Sequence, residues 1–181
     1  MSLIENAAEK LARSIKEANP HDTKSVEVMK FSLIAVIGTG SAVAISMVLS
    51  ALLGTLTETL VTILAFVLLR SFSGGFHFKT AEACTITSIV GSVVLPLIPI
   101  SQHMGNTLMV LTLIILTWLA PIGMNQSRIF DVKHYPYLKI LCILIVASNF
   151  LWMSDILTKA FFVQAVTLLI LKGGELNEKA Q

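Results

Sequence analysis

Long apolar runs, interrupted by few charged residues, dominate the pattern along this chain. A transmembrane helix needs about 20 apolar residues. The long stretches without Lys, Arg, Asp or Glu are 31–57, 83–127, 140–154 and 160–171. The first, when it is extended past Glu58 to Leu69, is long enough for two passes, and so is the second. The last two form a tight hairpin whose turn carries Asp155 and Lys159. The pattern predicts six transmembrane helices, over 31–53, 55–70, 83–100, 106–122, 139–154 and 156–171.

The composition supports a membrane protein and disfavours the soluble classes. Of 181 residues, 55% are hydrophobic and 13% are charged, and the mean hydropathy is +0.81. Soluble domains carry about 25% charged residues, so this chain has too few to cover a globule. The apolar runs are also unbroken, whereas an outer-membrane barrel shows short alternating segments. A soluble enzyme, a nucleic-acid-binding protein and a disordered chain are therefore disfavoured. We expect one all-α polytopic membrane domain over 1–181.

The first twenty residues have a different pattern, which is typical of an amphipathic helix over 1–20. Apolar residues recur at helical spacing there, and charged residues occupy the remaining faces. Two arrangements fit this pattern. The helix lies on the cytoplasmic membrane surface, or it packs against the bundle or a second subunit. The apolar set is Leu3, Ile4, Ala7, Ala8, Leu11, Ala12, Ile15 and Ala18.

The distribution of cations predicts the orientation. With six passes, every Lys and Arg except Lys159 falls on the side that holds both termini and the loops 70–83 and 123–139. Lys and Arg are enriched in cytoplasmic loops of membrane proteins. We therefore expect both termini and these two loops on the cytoplasmic side.

The two cysteines occupy different contexts. Cys142 lies inside the fifth predicted transmembrane helix, between leucine and isoleucine residues, and this context predicts a small buried packing residue. Cys84 lies where the third predicted transmembrane helix begins, directly after the polar segment 70–83. Only Cys84 is therefore a candidate nucleophile.

The segment 70–84 combines the residue types of a cysteine nucleophile and its base. Gly74 and Gly75 permit a backbone turn, His77 follows them, and Thr80 is the expected N-cap of the next helix. The field of a helix N-terminus and a protonated His77 both favour the thiolate form of a cysteine. On one continuous helix, however, His77 and Cys84 would lie about 10 Å apart along the axis, beyond hydrogen-bond reach. A His77–Cys84 pair therefore predicts a helix break between the two residues.

We expect neither a metal nor another cofactor. The sequence has no His-Glu-x-x-His motif, and His77, Glu82 and Cys84 lack a convincing fourth ligand for a zinc site.

Arg70, Gly74-Gly75, His77 and Cys84, in a six-span chain of this length with cytoplasmic cations, resemble the accessory gene regulator B family of bacterial membrane endopeptidases. Members of that family process the precursor of a cyclic autoinducing peptide in quorum sensing. The resemblance implies that Cys84 and His77 form a cysteine peptidase dyad in the bacterial cell membrane. It also implies a precursor peptide of the AgrD type as partner, and a homodimer. The lipid bilayer is the remaining expected partner, and no nucleic acid is expected.

The resemblance further implies a reaction in two steps. Cys84 would attack a peptide carbonyl near the C-terminal side of the precursor and hold the remaining peptide as a thioester. A nucleophilic side chain of the precursor would then close the ring, as a thiolactone or a lactone.

The supporting residues have alternative roles at this stage. Gly74 and Gly75 present amides to the oxyanion or only form a turn. Arg70 binds a carboxylate of the acidic precursor tail or anchors its helix at the interface. Lys79, Arg128 and Lys133 add to a substrate-binding basic surface, although the cytoplasmic bias alone accounts for them. The residue that orients His77 is open among Ser73, Glu82, Asn125 and Gln126.

A small transporter or an export scaffold for a peptide, with an incidental Cys84, is the alternative function. Such proteins place charged residues near the bilayer centre and contain internal repeats. The apolar runs here contain neither a charge pair nor a repeat, so this alternative is weaker.

Overall fold

The computed structural model describes residues 3–75, 78, 80–122 and 132–179, with residues 132 and 175–179 described by their backbone alone. Within these ranges the chain is almost entirely helical. The helices are α1 (Leu3–Ala18), α2 (Val26–Leu53), α3 (Leu56–Ser73), α4 (Ala81–Leu97), α5 (Gln102–Leu119), α6 (Tyr135–Trp152) and α7 (Asp155–Lys179), with a short 3-10 helix at Val132–His134.

Five of the described helices, α2, α3, α5, α6 and α7, are long and apolar enough to cross a membrane. The sixth apolar helix, α4, has 17 residues and is about 25 Å long, at the lower end of the length that spans a bilayer. With the N-terminal α1, these helices confirm the predicted fold class, an all-α polytopic membrane protein.

Side-chain caps determine where two of these helices begin. The Ser25 hydroxyl accepts a hydrogen bond from the Val28 amide (3.4 Å) at the start of α2, and the Ser101 hydroxyl accepts one from the Met104 amide (3.3 Å) at the start of α5. Such caps satisfy amides that have no partner within the helix. Both helices therefore begin before the expected positions 31 and 106.

Prolines account for where two helices end. α4 ends two residues before Pro99 and α5 ends two residues before Pro121, short of the expected positions 100 and 122. A residue that precedes proline is disfavoured in the helical conformation. α7 instead continues past the expected position 171, because the end of an apolar run marks the membrane boundary rather than the end of the helix.

The chain divides into two compact units, one of residues 1–54 and 77–93 and the other of residues 55–76 and 94–181. In the first unit, α1 runs antiparallel to the beginning of α2. Lys16 Nζ donates to Thr23 O (3.0 Å), and Glu9 Oε2 pairs with Lys30 Nζ at 2.6 Å. Ala8 is fully buried, as is Ala12. The N-terminal helix thus packs against α2, and its expected position on the cytoplasmic membrane surface stays a prediction.

Small residues bring α2 and α4 together in the same unit. Ser46 and Ser92 share a buried hydrogen bond of 2.9 Å, and the Thr85 hydroxyl donates to Gly38 O at 3.4 Å. A Cβ at position 38 would lie 3.3 Å from Thr85 Oγ1, so glycine permits this close approach. Small side chains and hydroxyl hydrogen bonds are typical of helix contacts within membranes.

The second unit contains α3, α5, α6 and α7 around an apolar core. Its fully buried side chains include Leu69, Leu116, Val146 and Leu168. Cys142 lies in this core with no exposed surface. The prediction that Cys142 is a packing residue is therefore confirmed.

The turn between α6 and α7 is closed by Asn149, whose side chain is buried. Its Nδ2 donates to Thr158 Oγ1 (2.9 Å) and to Ser154 O (3.1 Å), and its Oδ1 accepts from the Ser154 amide. The expectation that Lys159 lies in this turn is wrong. Lys159 lies within α7, where it is buried and donates from Nζ to Ile98 O at 2.7 Å, and this bond satisfies a carbonyl beyond the end of α4.

Candidate functional site

Cys84 lies in the first turn of α4, in the first unit. The Thr80 hydroxyl accepts a hydrogen bond from the Ala83 amide, and Thr80 O accepts one from the Cys84 amide, both at 3.3 Å. This geometry confirms the predicted N-cap at Thr80. The Cys84 side chain is partly buried, so its sulfur is neither enclosed like that of Cys142 nor fully open.

The helix break that a His77–Cys84 pair requires is present in the chain. α3 ends at Ser73 and α4 begins at Ala81, so no continuous helix joins positions 77 and 84. His77 itself lies outside the described residues, and the pairing of its imidazole with the Cys84 sulfur stays a prediction.

The start of α4 is also connected to α1. Glu82 Oε1 accepts a hydrogen bond of 2.8 Å from the Ile4 amide, which lies in the first turn of α1. First-turn amides lack intrahelical partners, and a carboxylate is favourable there. Glu82, one of the residues considered for orienting His77, thus holds the N-terminal helix with one of its oxygens.

The paired glycines form the turn that ends α3, in the second unit. Gly74 has φ +75° and Gly75 has φ +147°, values that L side chains rarely adopt. The Gly74 amide donates to Arg70 O at 3.0 Å and closes the last turn of the helix. Ser73 O accepts from the Ile122 amide at 3.1 Å, so a second chain segment also holds this turn.

Three polar side chains converge on Gly75. A Cβ at that position would lie 3.1 Å from each of Arg70 Nη1, Gln164 Nε2 and Thr167 Oγ1. The Arg70 guanidinium also stacks over the Phe66 ring, 5.8 Å from its centroid. Position 75 therefore has no room for a side chain unless these groups move.

Gln164 is the residue that the sequence reasoning missed. It lies in α7 with its side chain fully buried, and its Nε2 donates to Ser73 Oγ at 2.9 Å and to Gly74 O at 2.7 Å. Ser73, another residue considered for orienting His77, is thus bonded to α7. The available signal was an amide within the uncharged run 160–171, because buried polar residues in membrane helices are often functional.

The remaining predicted residues are placed as follows. Arg70, Gly74 and Gly75 lie together in the second unit, and Cys84 belongs to the first. Lys133 lies exposed in the short 3-10 helix. The others, Lys79, Arg128, Asn125 and Gln126, lie outside the described residues. Within the described ranges, no group of three or more His, Cys, Asp or Glu side chains is arranged to hold a metal ion.

Comparison with known proteins identifies the family. The family model of accessory gene regulator B matches residues 8–175. A putative AgrB-like protein of Halalkalibacterium halodurans is 24% identical over 195 residues, which cover 98% of this chain and 99% of that protein.

Two further relatives match over shorter segments. Accessory gene regulator protein B of Staphylococcus intermedius is 34% identical over 99 residues, covering 53% of this chain and 51% of the relative. Protein FsrB of Enterococcus faecalis is 30% identical over 115 residues, covering 58% and 47%. This chain thus spans about half the length of these two relatives, and no solved structure matches it. The match over residues 8–175, together with the apolar helices, shows that the chain belongs to the accessory gene regulator B family of quorum-sensing membrane proteins.

Proposed function

We propose that this protein is a membrane cysteine endopeptidase that cleaves a quorum-sensing precursor peptide and cyclises the product. The observation that carries the proposal is the position of Cys84, in the capped first turn of α4, in a chain of this family. A helix N-terminus stabilises negative charge, and a cysteine attacks as its thiolate. The first turn of α4 therefore suits a nucleophilic sulfur.

In the first step, His77 takes the proton from the Cys84 thiol, and the sulfur attacks a peptide carbonyl carbon of the precursor. The carbon–nitrogen bond then breaks, and His77 returns the proton to the departing amine. The N-terminal part of the precursor remains bound to Cys84 as a thioester. This reaction step uses one nucleophile and one base and requires no metal or cofactor.

In the second step, a thiol or hydroxyl of the bound peptide attacks the thioester carbonyl. The sulfur of Cys84 leaves as the thiolate and regains a proton, while the peptide leaves as a thiolactone or lactone. A thioester retains enough reactivity for this exchange without ATP, provided that water does not hydrolyse it first.

The cationic residues on this side of the chain have a proposed role in binding the precursor. Arg70 provides a planar guanidinium that matches a carboxylate of an acidic peptide. Lys79, Arg128 and Lys133 add positive charge that attracts the same peptide.

The proposal also includes an orientation and an assembly. Both termini and Cys84 face the cytoplasm, because all cations except Lys159 lie on that side of a six-span topology. The working assembly is a homodimer. Fusion of a reporter protein to either terminus tests the orientation, and chemical cross-linking in the membrane tests the dimer.

The two cysteines provide a matched test of the chemistry. Cys84→Ser and Cys142→Ser variants are each reconstituted with the precursor peptide in lipid vesicles, and cleavage is followed by mass spectrometry. We expect Cys84→Ser to abolish cleavage and Cys142→Ser, which changes a core packing residue, to retain it. Hydroxylamine, which cleaves thioesters, should release peptide from the wild-type protein and from Cys142→Ser, but not from Cys84→Ser. Full cleavage by Cys84→Ser would refute the proposal and favour an export scaffold.

A further inference from the structure

A buried amide of α7 holds the turn that leads out of α3. Gln164 has no exposed surface, and its Nε2 makes two hydrogen bonds, to Ser73 Oγ (2.9 Å) and Gly74 O (2.7 Å). The Thr167 hydroxyl donates to Gln164 O at 2.7 Å and also lies 3.3 Å from Gln164 Oε1. Both hydrogens of the amide nitrogen are thus used to hold the turn.

The two residues that Gln164 holds are adjacent in the chain, and they stand where the helix gives way to the glycine turn. Ser73 also donates from Oγ to Gly74 O at 3.2 Å. Gly74 and Gly75 have few conformational restrictions of their own. External hydrogen bonds must therefore select one conformation of this turn, and Gln164 supplies two of them.

Burial makes this selection sensitive to the amide. Without Gln164, the partly buried carbonyl of Gly74 would lose its shorter hydrogen bond, at 2.7 Å, and keep only the Ser73 hydroxyl at 3.2 Å. The loss of a donor at a partly enclosed carbonyl is costly, so the turn would relax toward other arrangements. His77 follows Gly75 by two residues in the sequence, so this turn closely precedes the proposed base.

We infer that Gln164 is a positioning residue of the proposed endopeptidase, which acts on the reaction by fixing the Gly74–Gly75 turn rather than by touching the precursor. This inference rests on the proposed function. It predicts that kcat falls more than KM changes, because the turn closely precedes the proposed base, whereas Arg70, the proposed precursor-binding residue beside the turn, belongs to α3. A displacement of reacting groups by about 1 Å costs about 100-fold in rate.

The decisive variant is Gln164→Met, which keeps the length and removes the amide. Its matched control is Asn149→Leu, which removes another buried amide of the same unit whose nitrogen donates to Thr158 Oγ1, to Ser154 O and to Met109 Sδ. Folded protein is quantified by size-exclusion chromatography. The kcat and KM for precursor cleavage are then measured per folded molecule in vesicles.

We expect Gln164→Met to lower kcat by about 10- to 100-fold with a smaller change in KM, and Asn149→Leu to retain wild-type kcat per folded molecule. Equal losses in the two variants would mean that the amide only supports the fold, and would overturn the inference. Wild-type kcat in Gln164→Met would overturn it as well.

A milder variant keeps the test informative if Gln164→Met does not fold. Ser73→Ala removes one of the two acceptors and leaves the Gly74 carbonyl in place. We expect a smaller drop in kcat than in Gln164→Met, again larger than the change in KM. If Gln164→Met does fold, combining it with Ser73→Ala should add no further loss, because residues of one hydrogen-bond network are not additive. Unchanged kcat in Ser73→Ala would count against the inference. Cleavage by Cys84→Ser, in contrast, would refute the proposed function itself, whatever the Gln164 variants do.

Discussion

Replacing Gly75 by alanine tests whether the turn after α3 is as tightly determined as its geometry indicates. The new Cβ would lie 3.1 Å from Arg70 Nη1, Gln164 Nε2 and Thr167 Oγ1, which is closer than ordinary contact. It would also place an L residue at φ +147°, a conformation that glycine alone adopts readily.

Both effects contribute to the expected magnitude. The backbone strain of such a conformation costs about 1–3 kcal/mol. The three neighbouring atoms belong to side chains and need to move only a few tenths of an ångström, so the packing cost lies at the low end of the usual range, about 1 kcal/mol. The sum, about 2–4 kcal/mol, corresponds to a decrease of about 30- to 1000-fold in the ratio of the native turn to its alternative conformations.

Two measurements follow from this value. Precursor cleavage per folded molecule should fall, by up to about 1000-fold, and the variant should unfold at a lower fraction of sodium dodecyl sulfate in mixed micelles. Gly91→Ala, in the interior of α4, is the control, because a Cβ there has no heavy atom within 4 Å. In a helix interior alanine is favoured over glycine, so Gly91→Ala should keep both properties. If Gly75→Ala matched Gly91→Ala in stability and in cleavage, the reasoning about the turn would be refuted.

The other predictions concern the N-terminal helix, the cysteines and the core. Hydrogen bonds from Lys30 and Arg13 lower the pKa of Glu9 to about 2. The stabilisation of α1 by this carboxylate should therefore be complete above pH 4.5, the ordinary pKa of a Glu carboxyl, and be lost as the pH falls through about 2. Hydrogen exchange of the α1 amides measures this loss. If Glu9→Gln lost the same protection on acidification as the wild-type protein, the prediction would be contradicted. In folded protein in detergent, a maleimide should label Cys84 and spare Cys142 until denaturant is added, and equal labelling of the two before denaturation would contradict the burial difference. Leu116→Ala, at a fully buried position, should lower the free energy of unfolding by about 2 kcal/mol or more, measured in the same micelle titration, and no change would show that the core around it is loose.

Several features of the fold were predictable from local sequence. The apolar runs determine that the chain forms membrane helices, because the cost of an unsatisfied backbone in lipid leaves a helix as the solution for each run. The cap at Thr80 and the burial of Cys142 were likewise predictable, since each depends on a few neighbouring residues. The helices that begin at positions 26 and 102 start before the predicted membrane spans, because their caps, Ser25 and Ser101, lie outside those spans.

The candidate site was predictable only in part. The glycine turn, with Arg70 one helical turn before it, follows from the sequence, because glycine pairs end helices locally. His77, Lys79 and Arg128 lie outside the described residues, so their roles stay predictions.

By itself, the sequence determined which segments are helical and apolar, and it predicted on which side of the membrane the cations lie and which cysteine is the candidate nucleophile. The tertiary structure alone decided that α1 packs on α2, that Lys159 is buried, and that Gln164 binds Ser73 and Gly74, although 91 positions separate Gln164 from Ser73. The physical reason is that helix formation in lipid depends on each segment's own backbone and side chains. A buried amide or ammonium group, in contrast, is stable only beside a particular acceptor, and packing chooses that acceptor from distant parts of the chain.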